Sequence, residues 1–417
     1  MPPDVRRVVT GRAIRGFADG FVSVLLAQYL TGLGFSPVEV GAIVTGTLLG
    51  SAVLTLTFGL TSHRFTVRAL LLAATGIMVA TGLGFATVTA FWPLLVIAVV
   101  GTLNPSSGDV SVFLPTEQAL VSSRVDAPRR PWTFAVYNLG AIFAGAVGAL
   151  ASGIPATLAH AQAWDVTDTQ QVSFLLYALA GVVIFLVYRR LTHHRDVLPA
   201  VSRGERRRTL DTSRRTVLEL AGLFSLDAAG GGFVVTSLLV LWLHLRFDLS
   251  AGTTAAVFFA AGVLSGFSQL LAPRLARRLG LVRTMAFTHI PAGVLLFLAA
   301  FAPNGAIAVA LLLGRAFLSQ MDVPARQSFV MAVVPPEERA AAASVTNVPR
   351  SLAAAATPLL AGALLARTTF GWPLVIAGAM KVTYDILLLV LYRDVAEEVG
   401  AARARRPRPR VPRRPAS

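Results

Sequence analysis

Long apolar stretches alternate with short charged or Gly- and Pro-containing connections along almost the whole 417-residue chain. A helix crossing a bilayer needs roughly 20 consecutive, mostly apolar residues. Apolar runs, read against charges and breaks, place spans at 12–33, 38–60, 67–88, 91–121, 132–154 and 171–190. A second set follows at 216–244, 252–273, 283–302, 306–333, 339–366 and 371–393. In lipid the backbone must satisfy its own hydrogen bonds, so runs this long and apolar can only be helices. The expected fold class is an all-α integral membrane protein with twelve transmembrane helices. Composition agrees where it bears on this: 55% of residues are hydrophobic and 14% charged, which leaves no room for a sizeable catalytic module in water. The chain is therefore not expected to be an enzyme, and no catalytic residue is assigned. Cysteine is absent, which excludes disulfides, thiolate nucleophiles and cysteine-rich metal sites.

A net charge of +16 would suit nucleic acid if the bases shared one soluble face. They lie instead in short stretches between apolar segments, so nucleic acid is not an expected partner and topology explains them better. Arg315, Arg326, Arg350 and Lys381 sit within spans, and of the rest only Arg246 and Arg367 fall in connections on one side. Such a bias predicts that both termini and the central connection are cytoplasmic, in a multi-pass protein of the cell (inner or plasma) membrane. The amino-terminal residues show no short apolar run with a small-residue cleavage site, so no cleaved signal peptide is expected. The expected organisation is a six-helix bundle at 1–190, an Arg-rich linker at 191–215, a second bundle at 216–393 and a disordered basic tail at 394–417.

The two sets of spans repeat each other. At a fixed offset of 209 residues, Pro115-Thr116-Glu117-Gln118 matches Pro324-Ala325-Arg326-Gln327, Arg130 matches Arg339, Asn138 matches Asn347 and Gly153 matches Gly362. Nearer the amino ends the offset is 212 to 213, pairing Gly20-Phe21-Val22 with Gly232-Phe233-Val234, Phe35 with Phe247, Gly101 with Gly314 and Asp109 with Asp322. The shift of about four residues is near one helical turn, so the faces stay aligned. Two parallel six-helix repeats joined by a long linker are an arrangement used by a large class of transporters.

With these landmarks in place, the chain resembles the major facilitator superfamily over nearly its whole length. The connection Gly59-Leu60-Thr61-Ser62-His63-Arg64-Phe65-Thr66-Val67-Arg68 is similar to that family's signature between helices two and three. His63 stands where the family has Asp, and Thr66 where it has Gly. The counterpart Ala276-Arg277-Arg278-Leu279-Gly280-Leu281-Val282-Arg283 keeps the Arg and Gly but also lacks the Asp. Span five carries Gly140, Gly145, Gly148 and Gly153, loosely like the Gly-rich fifth helix of the family's exporters, without its Gly-Pro pairing. The resemblance implies alternating access by rocking of two halves, a small-molecule substrate, and spans one, four, seven and ten lining the path. Protons are the expected coupling ion, and the lipid bilayer surrounds the chain, which is expected to be monomeric.

A charge at the bilayer centre costs at least about 2.5–3.5 kcal/mol, so ionisable residues inside spans should face a partner or a watery cavity. They gather on few spans: Asp19 in span one, Asp109 and Glu117 in span four, Asp227 in span seven, and Arg315, Asp322 and Arg326 in span ten. The last three, seven and four residues apart, form one stripe on a helix. Asp19, Asp109, Asp227 and Asp322 are candidates for a carboxylate that loads and releases a proton, although Asp19 could equally form a local pair with Arg15. Glu117 and Arg326, equivalent in the repeat and opposite in charge, are candidates for a cytoplasmic gate with Arg130, Arg339, Arg64, Arg68 and Arg278. Lys381, the sole lysine, lies four residues before Asp385, so a local pair competes with a cavity role. Arg350, Asn138 and Asn347 are further cavity candidates, and Gly230-Gly231-Gly232 permits a bend or close packing in span seven.

His193-His194 and His289 lack metal-ligand spacing and read as a surface pair and a satisfied helix histidine, so no metal and no cofactor are expected. No phosphate-cradling Gly loop with Lys-Ser/Thr occurs, which argues against ATP-driven pumping. The expected function is a proton-coupled exporter of an amphiphilic compound or metabolite. The alternative is an importer of an organic anion or other nutrient. A membrane-embedded enzyme or a non-transporting receptor is more remote.

Overall fold

The computed structural model describes residues 1–61, 64–106, 111–126, 128–192, 213–335 and 338–404. Among these residues every regular element is an α-helix. The first half holds α1 (Pro3–Gly32), α2 (Pro37–Thr61), α3 (Val67–Thr87), α4 (Phe91–Val100), α5 (Phe113–Arg124), α6 (Arg130–Ala151), α7 (Ile154–Gln162) and α8 (Val166–Tyr188). The second holds α9 (Arg214–Phe233), α10 (Thr236–Phe247), α11 (Ala251–Leu279), α12 (Leu281–Ala299), α13 (Gly305–Leu318), α14 (Asp322–Val333), α15 (Arg339–Arg367) and α16 (Trp372–Ala404).

These sixteen helices follow the expected order of twelve runs, but three runs are made of two pieces and one short extra helix follows span five. Span four breaks into α4 and α5 where Gly101, Asn104 and Pro105 interrupt it, and Asn104 Oδ1 accepts from the backbone N–H and hydroxyl of Ser106 at 3.1 and 2.9 Å. An Asn that satisfies the backbone two residues on favours a turn over a helix. Span ten breaks into α13 and α14 at 319–321, so the expected stripe of Arg315, Asp322 and Arg326 is not on one continuous helix. Span seven bends by 42° between α9 and α10, just after its three glycines. Span five is followed by the short helix α7. Among the described residues, eight helices are long and apolar enough to cross a membrane, or nine if the bent pair counts as one. The first helix is not among them, because Arg12, Arg15 and Asp19 dilute its apolar content.

Helix ends away from the termini are capped by side chains: Asp165 caps α8, Ser250 caps α11 and Asn304 caps α13, each accepting a backbone N–H near 3 Å. Gly280, at φ +85°, turns the chain directly from α11 into α12 in a backbone conformation that glycine adopts without a Cβ penalty. One expectation is corrected at the carboxyl end. Beyond a break at Tyr392 (φ −123°, ψ 18°), α16 continues to Ala404, so 394–404 are helical rather than disordered. The Ala, Glu and Arg content of that stretch favours a helix. The rest of the tail, 405–417, and the linker residues 193–212, including His193-His194, lie outside the described residues.

Within each half the closest packing joins span one to span five and span seven to span eleven. A Cβ on Gly20 would stand 2.0 Å from the carbonyl oxygen of Gly145, and one on Gly232 would stand 2.2 Å from that of Ala354. These contacts are equivalent in the repeat, since Gly20 matches Gly232 and Gly145 matches Ala354. At the face bearing the termini, Thr192 donates its hydroxyl to Asp4 and Ser213 donates its own to Glu338, each within one half.

Contacts between the halves gather toward the opposite face. The Leu359 N–H donates to Thr45 Oγ1 at 3.0 Å, where Gly41 and Gly362 bring α2 and α15 together. Ser237 at the start of α10 donates its hydroxyl to the Ser23 carbonyl at 2.7 Å. Phe143 and Phe267 meet edge to face at 6.0 Å, between the middles of α6 and α11. Helix ends at Gly153 and Gly252 adjoin on the far side. Among the described residues, these contacts join the halves on the side away from the termini.

Candidate functional site

Two buried charge hubs, one in each half, form the centre of the site. In the first, Glu117 on α5 has no exposed surface and accepts from Arg15 on α1 through both oxygens, at 2.5 and 2.9 Å. Tyr137 on α6 and Tyr188 on α8 donate their hydroxyls to the same carboxylate at 2.5 and 2.6 Å. The Arg15 guanidinium lies over the Phe113 ring at 4.3 Å, and Arg12 lies over Tyr137 at 5.4 Å. A forked guanidinium on a carboxylate is the strongest form of such a pair, and here four helices contribute to it. The expected local pair Arg15–Asp19 is not the one formed, because the bidentate geometry of Glu117 takes the guanidinium. Asp19 is buried one turn deeper.

In the second hub the acid and base change places. Asp227 on α9 accepts from Lys381 on α16 at 2.7 Å and from Arg326 on α14 at 3.0 Å. Asp322 stands 3.6 Å from Arg326. His289 on α12 places Nε2 at 3.8 Å from Asp227 Oδ1 and Nδ1 at 2.9 Å from Asp385 Oδ2. The local pair Lys381–Asp385 is therefore corrected: Lys381 reaches across to α9, and Asp385 is held by His289. His289 is a satisfied helix histidine as expected, and it also lies between two carboxylates on different helices.

The hubs occupy equivalent places. Glu117 matches Arg326 at the offset of 209, and Arg15 matches Asp227 at the offset of 212 that also pairs Gly20 with Gly232. Each half thus ties its first span to its fourth by one buried ion pair, with inverted polarity. Applying the second offset to Asp227 would have identified Arg15. Tyr137, Tyr188 and His289 carried no comparable signal.

The other candidates lie as follows. Arg315 lies in the last turn of α13, half-buried, and its side chain makes no hydrogen bond or ion pair among the described residues. Asn138 on α6 and Arg350 on α15 are half-buried, and Asn347 on α15 is exposed. Arg130 is exposed and donates from Nε to the Val125 carbonyl at 2.9 Å. Arg339 opens α15, Arg64 is exposed after α2, Arg68 is half-buried in the first turn of α3, and Arg278 is exposed at the end of α11. Asp109 and His63 lie outside the described residues. The ion pairs Arg15–Glu117 and Arg326–Asp227 each lie inside one half.

This architecture has known counterparts. The chain matches the Major Facilitator Superfamily over residues 8–319 and again over 233–416. It is 24% identical over 428 residues to an uncharacterized membrane protein, YJR124C, of Saccharomyces cerevisiae, covering 95% of each chain. A solved D-xylose-proton symporter shares its fold with a TM-score of 0.74 at 15% identity, covering 92% of this chain and 97% of that one. The nucleoside transporter NupG does so at 0.71 and 13%, covering 94% and 100%. These structural relatives are transporters rather than enzymes. A multi-pass helical chain, matched from end to end and built as two such halves, belongs to the major facilitator superfamily.

Proposed function

We propose that the chain carries a small organic solute across its membrane by alternating access, with protons as the coupling ion. The observation that carries this reading is the pair of inverted hubs. Each half is locked internally by a buried ion pair, while contacts between halves gather toward one face, and two stiff bodies hinged at one face can rock. Asp19 is the candidate proton carrier of the first half: it is buried beside Arg12 and Arg15, in span one, and no ion pair holds it among the described residues. Asp227 and Asp322 are engaged with Arg326 and serve the proposal as part of the lock. Arg130, Arg339, Arg64, Arg68 and Arg278 remain candidates for contacts across the terminal face when it closes.

Export of an amphiphilic compound is the proposed direction, supported by the glycine-rich α6, whose Gly145 and Gly148 let α1 approach backbone to backbone. Uptake of an organic anion is a second reading, favoured by Arg315, whose guanidinium has no direct partner among the described residues.

Flux in proteoliposomes tests both. Wild-type protein is expected to move at least one compound from a panel of sugars, nucleosides, organic anions and amphiphilic cations, at a rate that follows an imposed pH gradient. Asp19→Asn is expected to retain flux and lose the dependence on the gradient. Gradient-independent flux in the wild type would remove the coupling, and absence of flux across the panel would remove the transport reading.

A further inference from the structure

Glu117 and Asp385 are the two acids of the hubs with no exposed surface, and they are furnished very differently. Glu117 receives four hydrogen bonds from Arg15, Tyr137 and Tyr188. Asp385 receives one contact, from His289 Nδ1 to Oδ2 at 2.9 Å, and its Oδ1 is buried with no donor among the described residues. The adjacent Tyr384 hydroxyl is also buried, with no hydrogen-bond partner among the described residues. A buried carboxylate oxygen left without a donor carries a desolvation cost that a permanent charge would not be expected to bear. The contact between His289 and Asp385 holds one proton between two titratable groups, so protons gained there belong to the pair.

The far nitrogen of the same imidazole is aimed at the second hub. His289 Nε2 stands 3.8 Å from Asp227 Oδ1, the oxygen that Lys381 Nζ holds at 2.7 Å. A second proton on the ring makes Nε2 a cationic donor facing an oxygen already bound by an ammonium. Among the described residues, the titratable groups around the pair are Asp227 from α9, Asp322 from α14, and Lys381 and Tyr384 from α16, with Arg326 of α14 bound to Asp227 and Arg315 lying in the last turn of α13. The arginines Arg274, Arg277 and Arg278 of α11 are exposed toward its end.

We propose that His289 and Asp385 form a proton-binding site in the second half, separate from Asp19, and that a proton taken up there sets an imidazolium in competition with Lys381 for Asp227 Oδ1. The dyad gains one proton and one positive charge, and the contact between α9 and α16 loosens as Lys381 is displaced. This deepens the coupling reading and rests on it for its use in transport, but the binding itself needs no transported solute.

The test therefore uses the full chain in detergent with the proton as ligand. Acid–base difference titration over about pH 4–9 covers the usual carboxylate and imidazole ranges. Wild type is expected to take up at least one proton per molecule more than His289→Gln/Asp385→Asn, and the same difference is expected when both proteins also carry Asp19→Asn. Hydrogen exchange, corrected for its intrinsic pH dependence, is expected to rise in α9 and α16 on acidification of the wild type and to stay flat in the double variant. Equal proton uptake in wild type and double variant would overturn the site. Equal exchange with unequal uptake would overturn the competition with Lys381. If the double variant does not fold, His289→Gln alone, which keeps an amide donor toward Asp385, is read for the same outcomes. None of these results depends on whether flux follows a pH gradient.

Discussion

The two halves solve one problem with opposite signs. Both tie the first span of the half to the fourth by a buried ion pair, yet the first half centres on an acid, Glu117, and the second on an acid at the other end of the pair, Asp227. The first hub is saturated: one carboxylate, one forked guanidinium and two phenols. The second is open-ended, since Asp227 is shared by Lys381, Arg326 and His289, and His289 leads on to Asp385. A saturated hub holds one arrangement, whereas a shared acid can exchange partners at similar energy, which a bistable element requires. The comparison assigns structural constancy to the first half and adjustment to the second.

The largest effect should come from breaking the saturated hub. Glu117→Ala leaves Arg15 buried without its acid and strands two phenols. Removing one partner of a buried pair costs about 3–5 kcal/mol, so this variant is expected to show a sharply lower Tm in detergent or little folded protein. The exchanged pair Arg15→Asp/Glu117→Arg copies the polarity of the second half. It is expected to be less stable than wild type, because Tyr137 and Tyr188 need an acid to receive them, but more stable than Glu117→Ala. Equal stability of the exchanged pair and wild type would show that the phenols contribute nothing to the difference between the hubs.

The second hub should break less severely and be repairable. Asp227→Asn keeps the side-chain shape, and Asp322 remains 3.6 Å from Arg326, so the cost is expected near the low end of the same range, about 3 kcal/mol. Adding Lys381→Met removes the stranded ammonium, and the double variant is expected to return to within about 1 kcal/mol of wild-type stability while losing any gradient-driven flux. Failure of Lys381→Met to restore stability would mean that Arg326, rather than Lys381, is the main partner of Asp227.

Much of the architecture was legible because bilayer thickness acts on composition, which a sequence displays directly. Span order, the repeat and the concentration of charge in spans one, four, seven and ten needed no coordinates. Partners within the hubs were hidden by a plausible local substitute: Asp19 lies four residues from Arg15 and Asp385 four from Lys381, while the partners actually used are 102 and 154 residues away. Helical spacing ranks the near acid first because it cannot see a neighbouring helix. The exception was recoverable, since the repeat offset carries Asp227 onto Arg15. His289 offered nothing of the kind. The break in span four was written in Gly101, Asn104 and Pro105, but the apolar residues on either side masked it.

The smallest expected effect compares the halves through their packing rather than their charge. Gly20 on Gly145 and Gly232 on Ala354 are equivalent backbone contacts, and a Cβ at either position would fall far inside contact distance of a carbonyl oxygen. Overpacking against backbone costs about 1–3 kcal/mol, and Gly20→Ala and Gly232→Ala are each expected to fall in that range by thermal unfolding. Gly231, one residue away in the same helix, has open space where its Cβ would be. There Ala restores helix propensity, and Gly231→Ala is expected to be neutral or stabilising by up to about 1 kcal/mol. If Gly231→Ala reduced flux while raising stability, span seven would need its glycine for the bend and not for contact. Equal losses from Gly20→Ala and Gly232→Ala would place the asymmetry of the halves in their hubs alone. A larger loss at Gly232, where Thr357 Oγ1 also lies 2.1 Å from the added carbon, would extend that asymmetry to the packing that carries the hubs.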